Sequence, residues 1–217
     1  MPQRNVSRRA ALLGATAGLA ALPFAGNAAL AQVVSPMAGE KVYIDPGHGG
    51  DDRGASANGV VEKNVTLDIA KRLREILDRH GYNVRMSRST DITRSLSYRV
   101  NDANSWGASI FVSIHCNAGG GYGFESYRDD GAVSDRTVRL QNNVHARVIA
   151  WMNKDQSVTD RGKKAVGFYV VENTNMSAVL TENLFVDNVA NANLLKSAAF
   201  RQDVALGHYH GINNFFN

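Results

Sequence analysis

An almost continuous apolar run at residues 110–114 constrains the fold more than any other segment. Only Ser113 interrupts it, and such a strand is typical of a sheet covered by helices on both faces. Other β-favouring runs occur at residues 41–45, 82–86, 123–127, 167–171 and 178–180. These runs alternate with helical periodicity, so we predict a three-layer α/β sandwich. Its twisted sheet should be mostly parallel or mixed, with helices on both faces.

Helical spacing of apolar residues places the intervening helices. One helix is predicted from a cap at Asn64 to a stop at Gly81, and a second from Leu96 to Gly107. Two more are predicted around residues 138–152 and over residues 194–216. In open α/β sheets, ligands bind beyond the carboxyl ends of the strands. We therefore expect the functional residues to follow the predicted strands.

The first 31 residues have the pattern of an export signal. Arg8 and Arg9 precede an apolar stretch over residues 10–25, and Ala29-Leu30-Ala31 supplies a small-x-small cleavage pattern. We predict a signal peptide at 1–31, of the twin-arginine type, a short tether at 32–40, and an exported protein of the periplasm or cell envelope. An uncut membrane anchor is the alternative. After cleavage we expect no stable membrane insertion.

Charge and cysteine content exclude several classes of function. Removal of the three signal arginines lowers the formal net charge from +4 to +1. The rest of the chain has no Lys/Arg run that would form a nucleic-acid groove, so no nucleic-acid partner is expected. A single cysteine, Cys116, rules out an intramolecular disulfide. Stability must therefore come from the hydrophobic core.

Two histidines and one glutamate lie at or just past the ends of predicted strands, and a second glutamate opens the first predicted helix. His48 lies in Asp45-Pro46-Gly47-His48-Gly49-Gly50, His115 in Ser113-Ile114-His115-Cys116-Asn117-Ala118, Glu62 before the first helix, and Glu182 after an apolar strand. Two imidazoles and a carboxylate can hold a catalytic Zn²⁺ and leave a position for water. We therefore predict one Zn²⁺ held by His48, Glu62 and His115, with Glu182 as the general base of a hydrolase. Asp45 is expected to orient a ligand imidazole.

Each of these residues also has a purely structural interpretation. His48 could cap a turn, His115 could be a core histidine, and Glu62 could complement the helix dipole. Glu182 could be a surface carboxylate. The remaining histidines are predicted to be structural, with His145 on a solvated helix edge, and Asp51-Asp52 is predicted to be a polar loop. A serine nucleophile elbow and a P-loop are both rejected because their motifs are incomplete.

The order of these motifs resembles the zinc-dependent N-acetylmuramoyl-L-alanine amidases of the type 3 family. The resemblance covers residues 41 to about 188. It is carried by Val42-Tyr43-Ile44-Asp45-Pro46-Gly47-His48-Gly49-Gly50, Glu62-Lys63-Asn64, Arg88-Ser89-Thr90-Asp91, Ser95-Leu96-Ser97-Tyr98-Arg99-Val100, the His115 motif and Ala178-Val179-Leu180-Thr181-Glu182. It implies a zinc amidase domain at 41–217 with the same ligands and the same catalytic glutamate. The implied reaction is hydrolysis of the amide between N-acetylmuramic acid and L-alanine in peptidoglycan.

The sequence is also consistent with two other functions. A zinc peptidase acting within the stem peptide would need a similar set of ligands. A non-catalytic zinc domain that binds the cell wall would need the ligands but not Glu182. An activator protein of unknown identity is a further open partner besides the peptidoglycan glycopeptide.

Overall fold

The computed structural model describes residues 39–217, which contain a six-stranded sheet and a small two-stranded one. The strands are β1 (Lys41–Pro46), β2 (Ser56–Ala57), β3 (Val60–Val61), β4 (Asn83–Met86), β5 (Ile110–Asn117), β6 (Phe124–Arg128), β7 (Asp160–Ala165) and β8 (Ser177–Phe185). The helices are α1 (Glu62–Arg79), α2 (Leu96–Trp106), α3 (Asp135–Met152), α4 (Tyr169–Glu172), α5 (Val189–Lys196) and α6 (Ala198–Phe216). The predicted signal peptide and residues 32–38 of the predicted tether lie outside the described residues. Among residues 39–217, no helix is both long enough and apolar enough to cross a membrane.

The large sheet has the strand order β4-β1-β5-β8-β6-β7. Its strands pair in parallel except for β6 and β8, which are antiparallel. Helices α1, α3, α5 and α6 contribute to the larger core cluster, and α2 and α4 to the smaller one. The predicted three-layer sandwich with a mixed sheet is therefore confirmed.

The chain changes direction in the sheet next to β1, and this creates the position for a site. From β1 it crosses through α1 to β4 on one side, and then through α2 to β5 on the other side of β1. The two crossovers lie on opposite faces, so β1 and β5 meet at a topological switch point. His48 follows β1, and His115 is near the end of β5.

Helices α3 and α6 pack closely through two glycines of α6. A Cβ on Gly211 would lie 2.5 Å from the Val144 Cα, and one on Gly207 would lie 2.7 Å from the Val148 Cα. The obstructing atoms are backbone atoms and cannot rotate away. This helix pair therefore requires glycine at both positions.

Two local predictions were wrong, and one strand was not predicted. The first helix begins at Glu62, after Val61, and Asn64 lies inside it instead of capping it. Residues 167–171 do not form a strand, since α4 begins at Tyr169, and the edge strand β7 was not predicted. The predicted helical C-terminus over residues 194–216 is present as the end of α5 and the whole of α6. The two helices are separated at Ser197, whose side chain accepts a hydrogen bond from the Phe200 N–H at the start of α6.

Candidate metal and catalytic centre

Glu62 lies between the two predicted imidazole ligands. Its Oε1 is 3.1 Å from His48 Nε2 and 3.1 Å from His115 Nδ1. One ligand atom from each residue lies within 4.8 Å of the other two. Zinc bonds of 2.0–2.2 Å at tetrahedral angles would separate neighbouring ligand atoms by about 3.3–3.5 Å. The spacing and the chemistry of this donor set therefore fit a zinc ion.

The backbone around these side chains is shaped to bring them together. A Cβ on Gly47 would lie 2.3 Å from the His115 ring, and one on Gly54 would lie 2.5 Å from Glu62 Oε2. His48 itself has a positive φ of 59°, which is unusual for a residue with a side chain. Such strain persists only where the surrounding structure enforces it.

Two buried arginines hold the loop that carries His48. Arg99 donates hydrogen bonds to the Pro46 and His48 carbonyls at 2.7 Å each, and Arg88 donates to the Gly47 carbonyl at 2.8 Å. Arg99 also pairs with the buried Asp45 carboxylate at 2.6 Å. Both arginines are 2–3% exposed, so the loop is fixed from the protein interior.

Asp45 does not contact an imidazole, so its predicted orienting role was wrong. Its carboxylate accepts hydrogen bonds from Ser87, Arg99 and Ser113. Asp52, which was predicted to belong only to a polar loop, lies 2.9 Å from His48 Nδ1 through each carboxylate oxygen. A carboxylate on the second ring nitrogen of a ligand histidine fixes the ring orientation.

The Glu62 carboxylate is held as an anion in a buried position. Its Oε1 also accepts the Cys116 N–H at 3.0 Å, and Oε2 accepts the Ala55 N–H at 2.8 Å. Burial alone would raise its pKa, but hydrogen bonds from His115 and His48 outweigh burial and hold the pKa well below the usual range. Burial would lower the pKa of each imidazole, whereas contact with Glu62 raises the pKa of both.

Glu182 lies on β8 directly opposite His115 of β5. Paired residues of adjacent strands project from the same face, so this carboxylate is on the face of the candidate metal ligands. Its Oε2 is buried and has no hydrogen-bond partner among the described residues. Burial raises the pKa of Glu182 to about 7, with Glu62 and Glu125 adding to the rise and His115 opposing it. A carboxyl group with a pKa near neutral pH can both accept and release a proton.

A cavity of about 250 Å³ adjoins His48 and His115. Its wall is completed by Asp45, Asp52, Thr93, Arg94, Ser95, Leu96 and Arg99. His48 and His115 thus border this cleft, and Glu62 and Glu182 lie beside them outside its wall. The sequence did not indicate the contributions of Asp52, Arg88 and Arg99. The two arginines lie in the family motifs Arg88-Ser89-Thr90-Asp91 and Ser95–Val100, which are the only sequence feature that could have indicated them.

Comparison with known proteins identifies the family. Residues 42–214 match the N-acetylmuramoyl-L-alanine amidase family of type 3. The chain belongs to that family. This amidase is 49% identical over 179 residues to the N-acetylmuramoyl-L-alanine amidase CwlM of Bacillus licheniformis, covering 82% of this chain and 69% of that protein. It is 47% identical over 181 residues to the sporulation-specific N-acetylmuramoyl-L-alanine amidase of Bacillus subtilis, covering 82% and 68%.

Solved structures agree with this assignment. The amidase resembles the catalytic domain of CwlV from Bacillus (Paenibacillus) polymyxa var. colistinus, with a TM-score of 0.76 and 31% identity, over 82% of this chain and 98% of that one. An N-acetylmuramoyl-L-alanine amidase from Clostridium difficile 630 gives a TM-score of 0.77 at 29% identity, over 82% and 97%. The predicted family, fold and enzyme class are therefore confirmed, and the activity is that of a peptidoglycan amidase.

Proposed function

We propose that this amidase is an exported zinc enzyme that hydrolyses the amide between N-acetylmuramic acid and L-alanine. His48, Glu62 and His115 hold one Zn²⁺, and Glu182 is the general base. The observation that supports this assignment best is the contact of both imidazoles with one Glu62 oxygen, beside an unpartnered Glu182 oxygen. A bound zinc ion would polarise the scissile carbonyl and increase the acidity of a water molecule.

Proton transfer, orientation of the ligands and support of the ligand loop are carried out by side chains of the protein. Glu182 takes the proton of the attacking water and returns it to the leaving amide nitrogen, a transfer for which a carboxyl pKa near neutrality is suitable. Asp52 holds the His48 ring through Nδ1. Arg88 and Arg99 keep the carbonyls of residues 46–48 in place, so the ligand loop needs little reorganisation during turnover.

The test is a digestion of purified wall sacculi by the mature enzyme, with and without a zinc chelator, followed by mass spectrometry of the released fragments. Intact stem peptides with a free N-terminal alanine are expected, and they should disappear under chelator and return with added zinc. Stems cut internally would instead indicate a peptidase. Absence of release in every condition would favour the wall-binding alternative or dependence on an activator.

Export is the second part of the proposal and rests on the sequence of residues 1–31. The twin-arginine pattern and the Ala29-Leu30-Ala31 site predict cleavage after Ala31 and location in the periplasm or cell envelope. The measurement is the intact mass of the protein recovered from the envelope fraction. A mass equal to that of residues 32–217 supports cleavage, whereas the mass of the full-length chain in the membrane fraction would support an uncut anchor.

A further inference from the structure

The face that carries the catalytic centre continues beyond Glu182 to a second buried glutamate. Glu182 pairs with His115 on one side and with Glu125 of β6 on the other. Paired residues on adjacent strands project together, about 4.8 Å apart. Glu125 is therefore the next side chain on this face after the proposed base.

Glu125 has no free oxygen with which to bind substrate. Its Oε1 accepts hydrogen bonds from Asn117 Nδ2 at 2.6 Å and from the Tyr127 hydroxyl at 2.8 Å. Its Oε2 accepts from Arg161 Nε at 2.9 Å and from Lys164 Nζ. The side chain is 2% exposed, and its contacts hold the carboxyl pKa below the usual range although burial acts to raise it. Glu125 is therefore a fixed anion that positions two cations.

A bulge in β7 brings both cations to the same carboxylate. Phe124 pairs with Asp160, but Ser126 pairs with Lys163, so β7 has one extra residue against β6. Residues three apart on a regular strand point to opposite faces, whereas the extra residue allows Arg161 and Lys164 to reach Glu125 together. Bulges next to active sites commonly redirect side chains in this way.

The bulge is itself held in place by a buried histidine. Gly162 has a φ of 86°, and its N–H donates to the Asp160 carboxylate at 2.7 Å. The same carboxylate oxygen lies 2.9 Å from Nε2 of the buried His145, whose Nδ1 contacts the Ser126 hydroxyl. His145 thus lies in the interior, contrary to the solvated position predicted for it, and connects the bulge to α3.

The positive charges of Arg161 and Lys164 are only partly balanced by their neighbours. Their side chains are 33% and 37% exposed, and among residues 39–217 Glu125 is the only carboxylate that pairs with either. The Arg161 Cζ lies 4.9 Å from the Phe185 ring centroid, and Lys164 Nζ lies 5.6 Å from that of Tyr127. The rings limit the freedom of both side chains and carry no formal charge, so Glu125 balances only one of the two positive charges. One net positive charge therefore remains at the exposed rim beside Glu182.

We propose that Arg161 and Lys164 form a subsite that binds a carboxylate of the stem peptide. The proposal rests on the proposed amidase function, because an enzyme that cleaves this amide must bind the stem peptide next to its catalytic centre. The glycan presents hydroxyl and acetamide groups, whereas the peptide carries free carboxylates. A guanidinium fork beside an ammonium group is well suited to a carboxylate and holds it in a defined orientation.

The test compares two soluble ligands that differ only in whether their carboxyl groups are free. Muramoyl-L-alanyl-D-glutamate has two free carboxylates, and both are carboxamides in muramoyl-L-alanyl-D-glutaminamide. Binding is measured by calorimetry with the zinc-loaded Glu182→Gln chain, in which hydrolysis is suppressed. We expect the acid to bind about tenfold more tightly or better, as charge-assisted hydrogen bonds predict. Equal affinities, or no binding of the acid at millimolar concentration, would overturn the proposal.

Substitutions of Arg161 and Lys164 in the Glu182→Gln chain test whether these two residues cause the difference in affinity. Arg161→Gln and Lys164→Gln should each bring the ratio of acid to amide affinity towards one. Lys163→Gln is the matched control, because Lys163 makes the same charge change on the same strand but contacts Asn142 of α3. A Lys163→Gln ratio that falls as far as that of Lys164→Gln would refute the subsite in favour of a general charge effect.

The two proposals fail in distinguishable ways. Sacculus digestion by the unsubstituted enzyme tests the bond that is cleaved, whereas the affinity ratio needs no turnover. A chain that releases free-alanine stems but binds acid and amide equally has the proposed function without the subsite. A chain that prefers the acid but cuts stems internally has the subsite without the proposed bond. Because the comparison of ligands requires neither subsite variant, it stands even if those variants fail to fold.

Discussion

At the scale of single residues, this site depends on carboxylates in contrasting environments. Glu62 is surrounded by imidazoles and backbone donors, which hold it ionised. Glu182 is on the same face but has an unpartnered buried oxygen, and burial raises its pKa to about 7. The same chemical group is thus suited to metal ligation in one position and to proton transfer in the other.

This contrast predicts that Glu182→Gln separates catalysis from metal binding. The amide keeps the size of the side chain but cannot accept the proton, so the rate of stem release should fall by about 10²-fold or more. Zinc content, measured by elemental analysis of the purified chain, should stay at one ion. Glu172→Gln, at an exposed position on α4, is the control and should retain full activity. A Glu182→Gln chain that loses its zinc would show that Glu182 is a ligand.

A second residue-scale prediction concerns His208 and pH. This fully buried imidazole contacts the Val204 carbonyl through Nδ1 at 2.8 Å and the Thr181 hydroxyl through Nε2 at 2.9 Å. Burial lowers its pKa to about 4, compared with an unfolded value of 6.5. The unfolded chain therefore binds the proton first, so this stabilisation is complete above pH 6.5 and is lost as the pH falls towards 4.

The measurement is urea unfolding of the unsubstituted chain and of His208→Gln between pH 7 and pH 5. His208 should contribute about 2 kcal/mol less to the free energy of unfolding at pH 5 than at pH 7. The difference between the two chains isolates this residue, since other titrating groups are common to both. A difference in unfolding free energy that does not change with pH would show that His208 is not the source.

At the scale of elements, prediction from sequence succeeded where burial imposes a strong pattern. Strand β5 is buried along most of its length, and α1 has apolar residues at helical spacing, so both were predicted near their actual positions. Edge strand β7 was missed because its residues, Asp-Arg-Gly-Lys-Lys-Ala, are mainly exposed and its bulge disrupts alternation. The apolar pair Val170-Val171 suggested a strand but packs into the smaller core cluster from the short helix α4.

The candidate site was likewise predicted only in part from the sequence. His48, Glu62, His115 and Glu182 could be proposed from the sequence because each belongs to a recognisable motif near the end of a predicted strand or the start of a predicted helix. Asp52 could not be assigned correctly, because its partner depends on how the loop after β1 folds. Asp45 could not be assigned either, because its partners Ser87, Arg99 and Ser113 are distant in sequence. Arg88 acts on that loop from the segment after β4, and Arg99 acts on it from α2. No local sequence pattern predicts such contacts between distant residues.

Close packing of α3 and α6 gives a prediction at this scale. A Cβ on Gly211 would lie 2.5 Å from the Val144 backbone, so Gly211→Ala should force the helices apart and lower the free energy of unfolding by about 1–3 kcal/mol. Helix propensity alone would predict a gain of about 1 kcal/mol. Ala146→Gly, at an exposed position of α3, measures that propensity term in the reverse direction. Urea unfolding that shows Gly211→Ala to be stabilising would contradict the packing argument.

At the scale of the whole molecule, the core and the candidate metal site are built from different parts of the same elements. Two hydrophobic clusters fill the space between the sheet and its helices, whereas His48, Glu62 and His115 lie where β1 ends, α1 begins and β5 ends. The fold therefore has its own source of stability. Metal should add to it by tying these three elements together, without being required for the fold to form.

The resulting prediction is a zinc-dependent shift in the thermal midpoint of a chain that is already folded. Free zinc at 100 times its dissociation constant stabilises the folded state by about 2.7 kcal/mol if the unfolded chain does not bind it. For a domain of this size, that corresponds to a rise of about 5–10 °C.

Far-ultraviolet circular dichroism should show the same secondary structure with chelator and with zinc. His115→Ala should abolish the rise, whereas His80→Ala, at the distant end of α1, should leave it intact. Loss of secondary structure under chelator would mean that the ligands organise the fold as well as the site, since the two clusters would then be insufficient to hold β1, α1 and β5 in register.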